Sequence, residues 1–274
     1  MQEQIITIYC LCADYLRAMG EHDGEQSTMS TAEVMTVALV AAAFFQSNHE
    51  AARRYLCDHG YISTERMLSK SRFNRRWHAV GEHHWQGLFA ILAQAHQAAD
   101  PTTEYVVDSM PVPVCDNYRI RRCKIYCSEA YRGVIASKKR YFYGLRIHLM
   151  ITATGKPVQF VLAPGATADI RVFQSMDFDS TAEANYFADA AYTDYDLEDW
   201  MQYENLTLWS ARKRNAKRQH APHDQFILSH IRKQVETTFS QISKMLPRAI
   251  HAVTAKGFEL KVAINVLAYS ISVA

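Results

Sequence analysis

Apolar residues recur at helical spacing from the N-terminus to Ala98, and no strand-type alternation interrupts them. Ile5, Ile6, Tyr9, Leu16 and Met19 mark a first helix. Ser30 with Glu33 three positions on is the signature of a capping box, and it predicts a helix running through Val34 to Phe45. Ser71 to Val80 and His84 to Ala98 complete the helical set. Asp100-Pro101 predicts a boundary, because a residue before proline is pushed out of helical geometry.

Beyond Pro101 the period shortens. Tyr105-Val106-Val107 is a short β-type run ending in Asp108, and Pro111 and Pro113 are expected to forbid its continuation in a sheet interior. From Tyr141 to Ile151 the chain alternates, with Tyr141, Tyr143, Leu145, Ile147, Leu149 and Ile151 on one face. Phe142, Gly144, Arg146, His148 and Met150 take the other. Thr154-Gly155 supplies a turn, and Val158 to Leu162 follows as the hairpin partner. Asn185 to Ala188 and Leu206 to Trp209 are two further strands. A long helical stripe then carries Ile227, Ile231, Val235, Phe239, Ile242 and Leu246, and a last apolar helix starts at about Gly257. This order predicts an α/β fold, an RNase H-like mixed sheet flanked by helices, preceded by an all-α N-terminal domain. The expected domains are 1–100, helical, and 101–274, carrying the sheet.

Composition adds little until charge is mapped. The chain is 49% hydrophobic and 21% charged, with a net charge of only +2. Its basic residues are nevertheless clustered. Between Asn117 and Arg146 stand Arg119, Arg121, Arg122, Lys124, Arg132, Lys138, Lys139, Arg140 and Arg146, with Glu129 the only acid after Asn117. Arg212, Lys213, Arg214, Lys217 and Arg218 form a second cluster, and Arg66 to Arg76 a looser third. Such patches are either solvated loops or a footprint for phosphates. The six cysteines show no CxxC pair, which fits a reducing compartment and a cytoplasmic, nucleoid-associated location. The longest apolar run, Val37 to Phe45, is too short to span a bilayer, so no membrane partner is expected.

Three carboxylates occupy the positions that carry chemistry in such a fold. Asp108 closes the first strand, Asp189 follows the fourth, and Glu236 lies on the long helix beside Val235. Taken singly, each has an ordinary reading. An aspartate at a strand end is commonly a turn residue, and Glu236 with Arg232 is an i, i+4 helix pair. Taken together, they are hard oxygen ligands suited to Mg²⁺, with Mn²⁺ as a substitute. Two such ions, roughly 3.5–4 Å apart, would clamp the attacking and leaving oxygens of a phosphodiester.

Four ordered blocks resemble a known family. Tyr105-Val106-Val107-Asp108-Ser109-Met110-Pro111-Val112-Pro113-Val114-Cys115 is similar to the first-aspartate block of bacterial insertion-sequence transposases of the DDE superfamily, the insertion sequence 982 group above all. Ala136-Ser137-Lys138-Lys139 with Tyr143-Gly144-Leu145-Arg146-Ile147-His148 resembles its second block. Ala188-Asp189-Ala190-Ala191-Tyr192 resembles the second-aspartate block, where Gly usually stands at Ala191. Ile231-Arg232-Lys233-Gln234-Val235-Glu236-Thr237-Thr238-Phe239-Ser240 resembles the glutamate block.

The resemblance implies a DNA transposase whose metal-binding triad is Asp108, Asp189 and Glu236, with Arg232 set against phosphate. It implies cleavage at inverted-repeat ends, joining of the 3′-hydroxyl to target DNA, and a homodimer on double-stranded DNA. The chain departs from the related insertion sequence 4 pattern, with Ser229 at a Tyr position and Lys244 one residue past the usual Lys. A nuclease or junction resolvase with the same triad, and an inactive DNA-binding relic, are the alternatives. DNA contacts are expected from Arg72, Arg75 and Arg76 on one side of a helix, and from Arg119, Arg121, Arg122, Lys138, Lys139 and Arg140. Arg212, Lys213, Arg214 and Arg232 complete the set. Cys115, Cys123, Cys127 and His148 match no common zinc spacing. Asp169 reads as a turn residue with a second, supporting role open to it, and His148 as a strand residue near the active face, hydrogen-bonded or touching DNA.

Overall fold

The computed structural model describes residues 1–274 except 101, 116, 136–138 and 179–182. Five helices come first: α1 Gln2–Ala18, α2 Thr31–Phe44, α3 His49–Asp58, α4 Lys70–Ala79 and α5 Glu82–Ala99. The capping box forms as the sequence requires. The Ser30 hydroxyl accepts from Glu33 N at 3.1 Å, and Glu33 Oε2 accepts from Ser30 N at 2.7 Å. Glu33 is buried there because Arg66 also pairs with it at 2.8 Å. Helix α2 buries every residue from Ala32 to Ala42, so it runs through a core rather than along one. Helix α3 is an addition to the sequence reading. It is short and polar, it buries Ala52, Arg53 and Leu56, and its start is marked by the Asn48 side chain accepting from Ala51 N at 3.1 Å.

A six-stranded mixed sheet follows, from β1 Glu104–Cys115, β2 Arg132–Ile135, β3 Arg140–Thr152, β4 Pro157–Pro164, β5 Ala184–Ala188 and β6 Leu206–Ser210. The strand order is β2-β3-β1-β5-β6, with β4 also on β3. β1 is antiparallel to β3 and parallel to β5, and β5 is parallel to β6. Helices α6 Asp169–Phe173, α7 Tyr195–Tyr203, α8 Pro222–Met245 and α9 Ala255–Ser272 complete the chain. Among the described residues no helix is long and apolar enough to cross a membrane.

The expected end of the strand at Asp108 is corrected by the structure, although the prolines do stay out of the sheet interior. β1 continues through Pro111 and Pro113 to Cys115, pairing Pro111 with Arg146 and Pro113 with Gly144. The physical reason is an edge. β5 pairs with β1 only as far as Val107, so beyond that point β1 has a neighbour on one side alone. Two prolines of equal parity point both nitrogens the same way, and the open side asks for no N–H.

The chain forms two compact units. One comprises residues 1–92, 241–252 and 256–274, so α9 belongs with the N-terminal helices. The other comprises 93–240 and 253–255 and contains the whole sheet. Within it Val106, Val107, Ile147, Leu149, Ile151 and Ala188 are fully buried, and the sheet's centre is their packing. α8 docks on the β3–β4 turn through Gln234 Nε2, which donates to Thr154 O at 3.3 Å, and Thr238 Oγ1, which donates to Gly155 O at 3.1 Å.

Gly144 shows how tightly β1 and β3 are drawn together. Its φ is +157°, and a Cβ there would meet the Val112 carbonyl oxygen at 2.3 Å. Gly144→Ala is expected to cost about 2 kcal/mol or more in urea unfolding. Gly24→Ala, built into open space, should stay within about 0.5 kcal/mol.

Candidate active site

The β1–β5 register builds the site. Val107 lies opposite Ala188 in the parallel pair, so Asp108 and Asp189 leave neighbouring strands at the same level. β5 ends there, and Asp189 caps the 3-10 turn Ala190–Tyr192, its Oδ1 accepting from Ala191 N at 2.7 Å. β1 runs on past Asp108, whose Oδ1 accepts from Ser109 N at 2.7 Å. The pair thus sits at the carboxyl end of parallel strands, where open α/β sheets place their ligands.

Arg232 on α8 reaches Asp108, with Nη2 3.6 Å from Oδ2. Glu236, one turn further along the same helix, is exposed. Its carboxylate does not join Asp108 and Asp189 within 4.8 Å in any group of ligand-type side chains among the described residues. The structure therefore brings two of the three sequence-predicted acids together, with Arg232, and leaves Glu236 within one helical turn of that arginine.

The opposite face of β1 carries residues that pattern reasoning had not assembled. Ser109 faces His148 across the β1–β3 ladder. Its hydroxyl donates to Asp169 Oδ1 at 2.8 Å and accepts from Arg146 Nη1 at 3.1 Å. Asp169 opens α6 and lies 3.8 Å from His148 Nδ1, which is itself 3.4 Å from the Tyr192 hydroxyl. His148 is fully buried, so a direct contact with DNA is not among its roles in this structure. Burial, with Arg146 beside it, lowers its pKa to about 4, so the ring is neutral at physiological pH. The Tyr192 phenol is driven well above its ordinary value by burial and by Asp169, Asp108 and Asp189 around it. The one sequence signal for this group was parity. Ser109, Arg146 and His148 share a face, and Asp169 follows the hairpin that carries two of them.

The cysteine–histidine set does not gather around a metal among the described residues. Cys127 Sγ instead approaches Cys123 O at 3.7 Å.

The basic residues separate into two kinds. Arg212, expected on DNA, is almost wholly buried and forms a two-pronged pair with Glu198, at 2.7 Å on each side, and also donates to Ser210 Oγ at 2.8 Å. It fastens β6 to α7. Arg76 pairs with Asp23 at 2.9 Å and donates to Thr31 at 3.0 Å. Arg72 and Arg75 are exposed on α4, whose Phe73 and Trp77 are buried, and all three arginines line a cavity of about 420 Å³ with Thr28 and Leu68. Arg119, Arg121 and Arg122 are exposed on a 3-10 segment, as are Lys139 and Arg140 at the start of β3 and Lys213 and Arg214 after β6. Lys138 lies outside the described residues.

Asp108 is costly to hold in its ionised form. Burial pushes its carboxyl up from 3.8 to about 6, opposed by the Ser109 N–H and reinforced by Asp189, with Arg232 lowering and Asp169 raising it. Because the folded value lies above the unfolded one, the group favours folding below about pH 4, and that contribution is lost as pH rises through about 6. At pH 7, in chelator, the cost is about 3 kcal/mol. Asp108→Asn is therefore expected to be more stable than the parent at pH 7 by about that amount in urea unfolding. The gap should close at pH 4 and shrink on adding Mg²⁺, which only the parent would bind tightly. Equal stability at pH 7 in chelator would refute this account.

With the geometry described, comparison with known proteins is informative. A family model described as a transposase DDE domain matches residues 98–252. No curated protein matches the chain. Among solved structures the chain is similar to a cryo-electron microscopy structure of a piggyBac transposase synaptic complex with hairpin DNA, at 14% identity and a TM-score of 0.50, covering 98% of this chain and 71% of that one. At that identity the likeness concerns the fold: a mixed sheet flanked by helices and preceded by helices. The family model spans more than half of the sequence, and the chain belongs to the DDE transposase domain family.

Proposed function

We propose that this protein is an insertion-sequence transposase of the 982 group that cuts DNA at inverted-repeat ends and joins the freed 3′-hydroxyl to target DNA. The observation that carries the reading is the pairing of Asp108 with Asp189 at the ends of adjacent parallel segments, with Arg232 on Asp108, in a chain of the DDE family. The donor set suits Mg²⁺: oxygen ligands only, one of them a carboxylate whose burial and acidic neighbours make a bound cation favourable. Asp108 and Asp189 would hold the ions, and Glu236 would complete the set from α8. When bound, two divalent ions supply Lewis-acid activation of the attacking oxygen and stabilisation of the leaving one.

The chain's own residues do the positioning. In the first step a water oxygen attacks phosphorus, the bond from phosphorus to the 3′ oxygen breaks, and that oxygen leaves as a hydroxyl. In the second step this hydroxyl attacks a target phosphodiester and displaces the target's own 3′ oxygen. Both are in-line displacements, so one site serves both. Ser109, held between Arg146 and Asp169, fixes β1 beside the reacting atoms. The exposed arginines of α4 and of the Asn117–Arg122 segment, with Lys139, Arg140, Lys213 and Arg214, would hold phosphates. In this reading residues 1–100 bind the element ends, residues 101–274 do the chemistry, and two copies act together, one per end.

The test is a cleavage and joining assay on labelled DNA carrying the element's ends, with Mg²⁺ or Mn²⁺. Asp108→Asn, Asp189→Asn and Glu236→Gln should each lower cutting by about a thousandfold or more while DNA binding persists. Cutting without joined product would move the assignment to a nuclease or resolvase. Binding with no cutting would identify an inactive relic. Arg72→Ala and Arg75→Ala should each weaken binding to end DNA and reduce the salt slope by about one. Arg212→Ala should instead destabilise the fold by about 3–5 kcal/mol, because it leaves Glu198 buried and unpaired.

A further inference from the structure

We propose that Glu21, His83 and His84 form a binding site for one transition-metal ion of borderline softness, Zn²⁺ or Ni²⁺, made by residues of the helical unit alone. Glu21 follows the end of α1, where its N–H donates to Leu16 O at 3.0 Å. His83 and His84 stand in the first turn of α5. One ligand atom from each of the three lies within 4.8 Å of the other two. His84 Nε2 is 3.4 Å from Glu21 Oε1.

Two observations distinguish this group from a chance meeting of polar side chains. The His84 side chain is only 7% exposed, and its Nδ1 is buried without a hydrogen-bond partner. Nε2, facing Glu21, is the ring atom that would ligate, and the buried ring is held in place to do so. Glycines also make room for the His83 ring and for the Tyr15 ring that packs on His84. A Cβ on Gly81 would fall 2.3 Å from the His83 ring, and one on Gly87 would fall 2.3 Å from the Tyr15 hydroxyl. Tyr15 in turn sets its ring edge against His84, 6.0 Å between centroids at 86°.

The ligand chemistry selects the ion. Two imidazoles and one carboxylate suit Zn²⁺, Ni²⁺ or Cu²⁺ better than Mg²⁺, and they leave a fourth position open. Ligand atoms around a tetrahedral zinc ion stand roughly 3–3.5 Å apart. The exposed side chains of Glu21 and His83 are free to close that gap over the fixed His84. The consequence is mechanical, a clip tying the end of α1 to the start of α5.

The experiment uses the full chain, stripped with chelator and returned to buffer holding excess Mg²⁺, which occupies hard carboxylate sites. Titration with Zn²⁺ should show one tight site per chain and a rise in melting temperature. His83→Ala and Glu21→Gln should each weaken that binding by at least about tenfold, while Asp108→Asn leaves it unchanged. The Co²⁺-loaded protein should show d–d absorption without a thiolate charge-transfer band. Binding that survives both His83→Ala and Glu21→Gln, that vanishes in Asp108→Asn, or that carries a thiolate band would overturn the proposal.

Discussion

The candidate site depends on one register. If Val107 lies opposite Ala188, Asp108 and Asp189 must emerge side by side, and a shift of one residue along either strand would turn one carboxylate to the other face. Several features hold that register. Val106 and Val107 are fully buried, as is Ala188, and Tyr105 stacks on Tyr186 at 5.3 Å between centroids. On its other side β1 is locked by ten paired positions to β3, with Gly144 admitting a contact that no side chain would allow. The hydrophobic centre of the sheet is therefore what sets the spacing of the charges at its end.

The same arrangement explains why the acids are costly to keep. Pleating sends Asp108 and Ser109 to opposite faces, so the sheet supports the site from both sides. On one face Arg232 supplies a single positive charge. On the other, the Ser109 hydroxyl bridges the Arg146 guanidinium and the Asp169 carboxylate, beside the buried His148 and Tyr192. Together Asp108, Asp169 and Asp189 outnumber the nearby cations, and burial does the rest. Local rules of stability are broken where function is expected, and the fully packed sheet beneath tolerates the breach.

Much of this was legible in the sequence because it rests on local pattern. The capping box, the alternation of β3, the turn at Thr154-Gly155 and the stripe on α8 each follow from residue spacing. The length of β1 is not legible because proline argues only against a paired N–H, and which side of a strand is paired is a tertiary fact. Helix α3 escaped notice because just Ala52, Arg53 and Leu56 face its core, too few to establish a period. Arg212 shows the limit of charge mapping. Its neighbours Lys213 and Arg214 are exposed, yet it is held by Glu198, fourteen residues earlier, which no cluster count reveals. Asp169 could be given a supporting role from sequence but no partners, since Ser109 and His148 come from two different strands.

The third acid raises the sharpest mechanical question, and the docking of α8 answers part of it. Gln234 and Thr238 hold the helix to the β3–β4 turn on either side of Glu236, so α8 is fixed both along its axis and in rotation at that point. Arg232 and Glu236 are four residues apart, which puts their Cβ atoms about 5–6 Å from each other on one face. A helix pinned in this way holds the backbone of both residues in place beside the strand ends. Arg232 is the charge that Asp108 has in this structure, while Glu236, one turn on, stays exposed. Charge accounts for that choice, because two neighbouring carboxylates attract a guanidinium and repel a third carboxylate.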